Sequence, residues 1–441
     1  MNIRELIRKI DMPQIGERMH QLVAELYPIC RSLTGNGVRQ TLHVLDRFIP
    51  MQIHEVPTGT AVYDWTVPKE WNIADAYIKN SKGERVVDFQ RSNLHVMGYS
   101  IPVHLKMSLA ELLPRLYSLP DHPEWIPHRT SYFKRDWGFS LAHKDLVSMT
   151  EDLYEVCIDS TLTDGSMTYG ECVLAGEQDE EILMSTHVCH PSLCNDNLSG
   201  IVLTTFLAQA LASIQRRYTY RFLFVPAQIG SLAWLVRNED AIKRIRHGLV
   251  LVALGDSGCS TYKCSRRETA EIDRVVTHVL QDSGQPYEIF KFTPYGYDER
   301  QYCSPGFNLP VGCFMRSTGA RLPEYHTSAD SLDCVKPDSL ADSYVKLLDI
   351  CAVLEGNRMF RNLAPNGEPQ LGKRGLYGAM GGLAAKGRVN ELPLLWVLNL
   401  SDGFHTLLDI ATRSGLPFHH VQDAAATLLQ HGLLEEVDNL R

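Results

Sequence analysis

Two kinds of hydrophobic pattern alternate along the middle of the chain. Short, nearly continuous apolar runs are typical of strands covered on both faces of a sheet, whereas apolar residues that recur every three or four positions are typical of helices. Their alternation between residues 136 and 350 predicts an α/β domain. The predicted strands are Tyr154–Ile158, Tyr169–Leu174, Glu181–Ser185, Tyr220–Val225, Gly248–Ala253 and Val311–Met315, and the predicted helices are Ser199–Ser213, Ser231–Arg237, Thr269–Gln281 and Ser339–Leu354.

The residues that precede this domain differ in character. Helical spacing continues through much of residues 1–50, which we assign to the same domain as residues 136–360. Residues 51–135 instead carry many Trp and Pro residues around short β-type runs at Gln52–Val56 and Leu94–Met97. We therefore expect a small β-rich insert, which is either an extra packing layer or a lid over a neighbouring site.

The last part of the chain, residues 361–441, predicts a third domain. A glycine-rich stretch at Gly372–Gly387 is typical of a linker. A helical run at Thr406–Arg413, a turn, a second helix at Val421–Leu429 and a short apolar strand follow it. This order of elements is typical of a winged helix.

Composition and charge narrow the possible partners. The 441 residues are 44% hydrophobic with a formal net charge of −9, which disfavours binding to nucleic acid by bulk electrostatics. The third domain carries seven basic against eight acidic residues, and its candidate recognition helix, Phe418–Gln430, contains no Lys or Arg. We therefore expect no nucleic-acid partner and assign this domain to packing, to a partner protein or to a homo-oligomer.

The cellular location is inferred from what the sequence lacks. It contains no apolar run long enough to cross a membrane, and the charged N-terminus has no apolar core of a signal peptide. The eleven Cys are odd in number and irregularly spaced, as expected for reduced thiols. We expect a cytoplasmic protein with no membrane partner.

Polar residues with metal-binding side chains follow several predicted strands. His187 ends one strand and Asp196 precedes the next helix, so the two side chains could converge on a zinc ion. Alternatively, His187 packs in the loop and Asp196 caps the helix. Asp256 follows the apolar run 248–254, and His326 lies in a polar cluster after the strand 311–315. Because ligands gather at the carboxyl ends of strands in such sheets, these four residues favour a metal site.

The order of these motifs resembles that of the leucyl-type zinc exopeptidases of bacteria. A closer resemblance, to a bacterial aminopeptidase-like family with a β-rich insert and a C-terminal winged helix, covers nearly the whole chain. The stretches that carry it are Ile29–Gly35, Tyr63–Pro68, Cys189–Pro191, Asn195–Gly200 and Glu324–Thr327. The resemblance implies a mixed, mostly parallel sheet of the zinc exopeptidase type.

One stretch departs from the exopeptidase pattern. Where those enzymes have a Glu-Glu pair, this chain has Ala227 and Gln228, so the resemblance implies that a general base and one carboxylate ligand are missing. His187, Asp196 and Asp256 would still form a zinc site with an open position. The second position would keep only Asp196 and His326. We therefore expect one tightly bound zinc and leave the second site in doubt.

Hydrolysis needs a proton acceptor to replace the missing base. Glu299 is the first candidate and Asp298 the second, with a solvated loop as the alternative. Arg316 could hold a substrate carboxylate bidentately unless it forms an ordinary ion pair.

The remaining polar residues of the His326 region receive supporting roles. Tyr325 and Glu324 are further candidates for substrate binding. Asp330 is expected to orient His326 or to cap the next helix. His190 lies three residues from His187 and could add a metal ligand, but a role in orienting the site or forming a turn is favoured.

These residues lead to competing functions. The leading hypothesis is a zinc-dependent hydrolase, a metallo-aminopeptidase or amidohydrolase, that cleaves an amide or peptide bond in a small aminoacyl or peptide-like substrate. The alternative is a degenerate aminopeptidase that acts as a non-catalytic binding or assembly protein. A transcription regulator would require salt-sensitive binding to DNA.

Overall fold

The computed structural model describes residues 2–150, 153–376 and 391–437. The chain divides into two compact units. The first contains the residues up to Arg274 together with Gln285–Leu348, and the second contains Val275–Gly284 together with the residues from Asp349. Most of the predicted linker Gly372–Gly387 lies outside the described residues.

The strands and helices predicted for the α/β domain are present, together with further elements that the sequence did not predict. The helices are α1 (Ile3–Ile7), α2 (Met12–Leu26), α3 (Asn36–Leu45), α4 (Leu109–Leu112), α5 (His143–Val147), α6 (Gly200–Ala212), α7 (Ile229–Arg237), α8 (Glu239–Arg244), α9 (Glu271–Asp282), α10 (Glu299–Tyr302), α11 (Pro337–Gly356), α12 (Glu391–Leu400), α13 (Leu407–Ser414) and α14 (Phe418–Gln430). The strands are β1 (Gln52–Pro57), β2 (Ala61–Val62), β3 (Trp65–Thr66), β4 (Glu70–Lys79), β5 (Arg85–Asp88), β6 (Val103–Ser108), β7 (Leu116–Tyr117), β8 (Phe139–Ser140), β9 (Leu153–Thr163), β10 (Ser166–Leu174), β11 (Glu181–His187), β12 (Thr219–Val225), β13 (Ile245–Leu251), β14 (Ser260–Lys263), β15 (Tyr287–Phe290), β16 (Val311–Met315), β17 (Met359–Asn362), β18 (Asp402–Thr406) and β19 (Leu434–Val437).

An eight-stranded mixed sheet forms the centre of the first unit. Its order is β1-β10-β12-β11-β13-β16-β14-β15. The four central strands, from β12 to β16, run parallel, while β1, β10 and β12 pair antiparallel to one another, as do β14 and β16. Every residue of β11 is buried, as are nearly all residues of α6, which explains their unbroken apolar sequences. The predicted mixed α/β fold is confirmed.

A smaller four-stranded sheet, of order β5-β4-β9-β6, contains most of the predicted insert. Its membership differs from the prediction at two strands. β1 pairs with β10 in the large sheet, and β9, which we had assigned to the α/β domain, pairs with β4 and β6. The predicted strand Leu94–Met97 is wrong, because Asn93–His95 forms a 3₁₀ turn there.

The second unit contains the winged helix. Strands β18, β17 and β19 form one antiparallel sheet, and α12, α13 and α14 pack on one another. Ion pairs join Arg358 to Glu436 and Arg361 to Glu435. Acidic groups therefore neutralise two of its cations, and the absence of a nucleic-acid partner stays a prediction.

Two further observations concern location. Among the described residues, none of the helices combines the length and apolarity that a membrane crossing requires. All eleven Cys lie in the described part of the chain as free thiols.

Asp349 on α11 offers a test of the electrostatics of the second unit. Burial, helped by the charge of Asp282, raises the pKa of Asp349 to about 6. The carboxyl therefore stabilises the fold below its unfolded pKa of about 4, and this contribution is lost as the pH rises through about 6. We expect Asp349→Asn to raise the free energy of unfolding at pH 7.5 by about 1–3 kcal/mol. At pH 4 we expect the substitution to change the free energy of unfolding little. Thermal unfolding at both pH values measures the effect, with exposed Asp121→Asn as control; an equal effect at both values would contradict the assignment.

Candidate metal centre

The carboxyl edge of the large sheet carries the predicted metal-binding residues. β11 ends at His187, and the loop that follows leads through His190 and Asp196 to α6. A second loop brings His326 to the same place after β16. The convergence that the strand ends predict is therefore present.

The carboxylate of Asp196 lies at the centre of this group and is fully buried. Its Oδ1 lies 2.9 Å from Nε2 of His187, and its Oδ2 lies 2.9 Å from Nε2 of His326 and 3.5 Å from Nε2 of His190. Burial opposes ionisation, but the adjacent imidazole of His190 and hydrogen bonds from the other two imidazoles hold the pKa of Asp196 well below its usual range. The carboxylate is therefore ionised and surrounded by nitrogen donors.

His187, His190 and Asp196 fit a divalent metal ion. Their ligand atoms all lie within 4.8 Å of one another, and two ligands of one zinc ion are about 3.3 Å apart. Nδ1 of His187 and of His190 is buried without a hydrogen-bond partner. Burial lowers the pKa of His190 well below its usual range, and the neutral imidazole is the form that binds metal. This geometry gives His190 a more central place than the orienting or turn role predicted from the sequence.

The backbone around the group is strained. His190, Gln228 and His326 have φ angles of 75°, 62° and 59°, in the left-handed region that residues with a side chain rarely adopt. Such conformations cost about 1–3 kcal/mol each and cluster at functional sites.

Asp330 fixes the backbone of this group. Its two carboxylate oxygens accept hydrogen bonds from the backbone N–H of Asn195 at 2.6 Å and of Asp196 at 3.0 Å. Burial raises the pKa of Asp330 to about 7. Asp330 therefore orients Asp196, whereas the sequence had suggested His326 or a helix cap.

Asp256 does not join the group, contrary to the prediction. Its carboxylate accepts hydrogen bonds from Asn195 Nδ2 at 2.9 Å, from Gly258 N at 2.7 Å and from Ser317 Oγ at 2.5 Å. The reason is the length of β13, which ends at Leu251, so that Asp256 lies in the following loop and not directly after the strand.

A cavity of about 870 Å³ opens beside the metal-binding group. His187, His190 and His326 contribute to its wall. Trp65, Tyr132 and Phe133 of the insert line it, as do Tyr295, Tyr297 and Tyr325. Residues of the insert therefore form part of the cavity wall, and a role of the insert as a lid stays a prediction. The volume lies in the upper range of small-molecule sites.

Asp298 lines this cavity, and one of its carboxylate oxygens has no hydrogen-bond partner. Its Oδ1 accepts hydrogen bonds from the backbone N–H of Gln228 at 2.6 Å and from Ser231 Oγ at 3.1 Å, and its Oδ2 is buried without a partner. Burial raises the pKa of Asp298 despite the opposing charge of His187. Asp298 thus brings a carboxylate to the segment where Ala227 and Gln228 supply none.

Glu299, the first candidate for the base, is held differently. Its Oε1 accepts a hydrogen bond from Lys263 Nζ at 2.7 Å, and the two side chains are 0% and 8% exposed. Lys263 Nζ also donates to the carbonyl of Tyr295 at 2.8 Å. Glu299 is therefore one half of a buried ion pair on the cavity wall, and its Oε2, like Oδ2 of Asp298, has no hydrogen-bond partner.

Removing one partner of this pair should destabilise the protein. Glu299→Gln leaves the buried ammonium of Lys263 without a counter-charge, which costs about 3–5 kcal/mol. Urea unfolding measures this loss, with exposed Glu17→Gln as the matched control. A loss of less than about 1 kcal/mol would mean that the pair is solvated.

The remaining predicted site residues differ in whether they line the cavity. Tyr325 lines the cavity, and its ring stacks on His326 at 4.0 Å. Glu324 is not part of the cavity wall. Arg316 donates to Asp342 at 2.6 Å and to the carbonyl of Gly258 at 2.8 Å, so it forms the ordinary ion pair that the sequence left open.

Two residues near the site were not predicted as site residues from the sequence. Tyr297 stacks on His187 at 5.7 Å, and its adjacency to Asp298 was the only available signal. His128 of the insert packs its ring 5.1 Å from that of His190. Its surroundings in the sequence carry no metal-ligand spacing that could have found it.

Comparison with solved structures defines the class. A crystal structure described provisionally as that of a peptidase from Clostridium acetobutylicum matches with a TM-score of 0.94 and 50% identity over 99% of both chains. A zinc aminopeptidase from Bacillus subtilis matches with a TM-score of 0.57 and 10% identity, over 77% of this chain and 95% of that one. The protein therefore has an aminopeptidase-like α/β fold with a C-terminal winged helix.

Sequence comparison adds the family. Residues 20–357 match the family described as a domain of unknown function (DUF4910), and residues 358–436 match a winged helix-turn-helix family. A Clostridium acetobutylicum protein, described provisionally as a polysaccharide biosynthesis protein with an aminopeptidase-like domain, is 52% identical over 424 residues, covering 96% of this chain and 97% of its own length. The chain belongs to the DUF4910 family.

Proposed function

We propose that this protein is a metal-dependent hydrolase that cleaves an amide or peptide bond in a small aminoacyl or peptide-like substrate. The observation that carries the proposal is the group of His187, His190 and Asp196 beside a cavity that is also lined by Asp298, whose Oδ2 has no hydrogen-bond partner. Two imidazoles and a carboxylate are a ligand set of catalytic zinc sites. A bound zinc ion would polarise the substrate carbonyl and lower the pKa of water.

Residues of the chain would then transfer the proton of the attacking water. Asp298 Oδ2 accepts a proton from the attacking water and transfers it to the leaving amine nitrogen. The hydrogen bonds from Gln228 and Ser231 hold its Oδ1, which leaves Oδ2 free to accept a proton. Asp298 thereby acts as the general base that is missing at Ala227. Glu299 remains in its ion pair with Lys263.

The cavity wall favours a substrate with an apolar group. Aromatic rings from the insert and from the loop around Tyr297 exclude water and cover an apolar side chain. Tyr325 provides a hydroxyl beside His326 that can donate a hydrogen bond to a substrate oxygen.

Amide hydrolysis with and without metal tests the proposal. The purified protein is stripped with a chelator, dialysed and assayed for amine release from aminoacyl amides and dipeptides with apolar side chains. We expect no turnover in the stripped protein and recovery upon addition of one equivalent of zinc. Turnover that is unaffected by stripping would contradict metal dependence.

A non-catalytic binding protein is the second candidate, and the replacement of the Glu-Glu pair by Ala227 and Gln228 favours it. This alternative predicts that none of the amides is cleaved even when zinc is bound. It would retain the cavity as a binding site, so substrate-like amides would still raise the thermal unfolding temperature.

A further inference from the structure

A histidine of the insert lies beside the metal-binding group, and one nitrogen of its ring has no hydrogen-bond partner. Nε2 of His128 is buried and unpaired. Its ring lies 5.4 Å from that of His326. A buried polar atom without a partner costs free energy, so this nitrogen needs a partner that the protein atoms around it do not supply.

The backbone holds His128 and His326 in a fixed relation. Pro127 and Thr327 form an antiparallel β-bridge, and the N–H of His128 donates to the carbonyl of His326 at 2.8 Å. Next to it, the N–H of Ser328 donates to the carbonyl of Ile126 at 2.9 Å. The insert is therefore joined to the His326 loop where the two imidazoles meet.

The spacing of the rings fits a shared ion. Two imidazoles on one tetrahedral zinc have ring centroids about 5 Å apart, because each nitrogen lies about 2.0 Å from the metal. The rings of His128 and His326 are 5.4 Å apart, as are those of His187 and His190 in the metal-binding group. The Oδ2 atom of Asp196 lies 2.9 Å from Nε2 of His326 and can supply the third ligand.

We propose that His128, His326 and Oδ2 of Asp196 form a second divalent metal position, which the insert completes. The proposal rests on the proposed function, because Asp196 is shared with the first position. Gln228 brings no carboxylate to the site, and the insert imidazole provides a nitrogen ligand instead. Two imidazoles and one carboxylate favour zinc or cobalt over magnesium or calcium.

Metal stoichiometry tests this proposal without reference to turnover. The stripped protein is titrated with cobalt, and bound metal is counted after equilibrium dialysis while the visible spectrum is recorded. We expect two cobalt ions per wild-type chain and one per His128→Gln chain. His104→Gln, whose side chain is 73% exposed on β6, is the matched control and should bind two.

Each result has a defined meaning. One ion per wild-type chain, or two per His128→Gln chain, would overturn the second position while leaving the first intact. No metal in the wild-type protein would overturn the proposed function itself. If His128→Gln does not fold, a count of one ion per wild-type chain would still overturn the second position.

Discussion

Replacing Asp196 by Asn is expected to lower the affinity for zinc at least about 100-fold and to abolish turnover. The loss follows from its position, because this carboxylate contacts His187, His190 and His326 and is the only anion among them. Even groups outside the ligand shell cost 10–100-fold in metal affinity when they are removed, so a ligand should cost at least as much. Asn keeps the shape of Asp but removes its charge.

The control for this experiment is Asp256→Asn. The sequence predicts Asp256 as a ligand, whereas the structure pairs its carboxylate with Asn195, Gly258 and Ser317. We expect Asp256→Asn to keep the zinc affinity within a few-fold of the wild-type value. Isothermal titration of both stripped variants measures it. Equal losses in the two variants would show that the ligand assignment is wrong.

Asp298→Asn is expected to lower kcat by about 10²–10⁴-fold while the bound metal is retained. That is the usual contribution of a general acid or base. The substitution should not disturb folding, because the amide oxygen can still accept the hydrogen bonds from Gln228 and Ser231, and the amide nitrogen replaces an oxygen that has no partner. Steady-state kinetics together with metal analysis measures the two quantities separately.

Asp298→Glu serves as the conservative comparison. It keeps the carboxylate, so we expect activity between that of the wild type and that of Asp298→Asn. An Asp298→Asn enzyme with unchanged kcat would exclude this residue as the base. A larger loss in a folded, metal-bound Glu299→Gln enzyme would restore Glu299 as the candidate.

The sequence predicted the parts of the site that follow from strand ends. His187 closes a wholly buried strand, and Asp196 precedes a buried helix, so their meeting followed from the topology of a parallel sheet. The same reasoning placed Asp256 wrongly, because the predicted strand ran past Leu251 into an irregular loop that is held by hydrogen bonds to Asn197 and Ser199. Hydrophobicity alone does not distinguish a buried strand from a buried loop.

The hydrophobic pattern of the sequence also does not predict the direction of side chains within a loop. Asp298 and Glu299 are neighbours, yet one carboxylate meets Gln228 and the other meets Lys263. His128 lies far from the metal-binding residues in sequence and reaches them only through the β-bridge at Pro127 and Thr327. Tertiary pairing of this kind leaves no periodicity in the sequence.

Anomalous diffraction from crystals soaked in zinc tests the central claim most directly. The account predicts a zinc peak bound by His187, His190 and Asp196, within reach of the free oxygen of Asp298. A peak bound by Asp256, or no peak at the His187 group at saturating zinc, would contradict it.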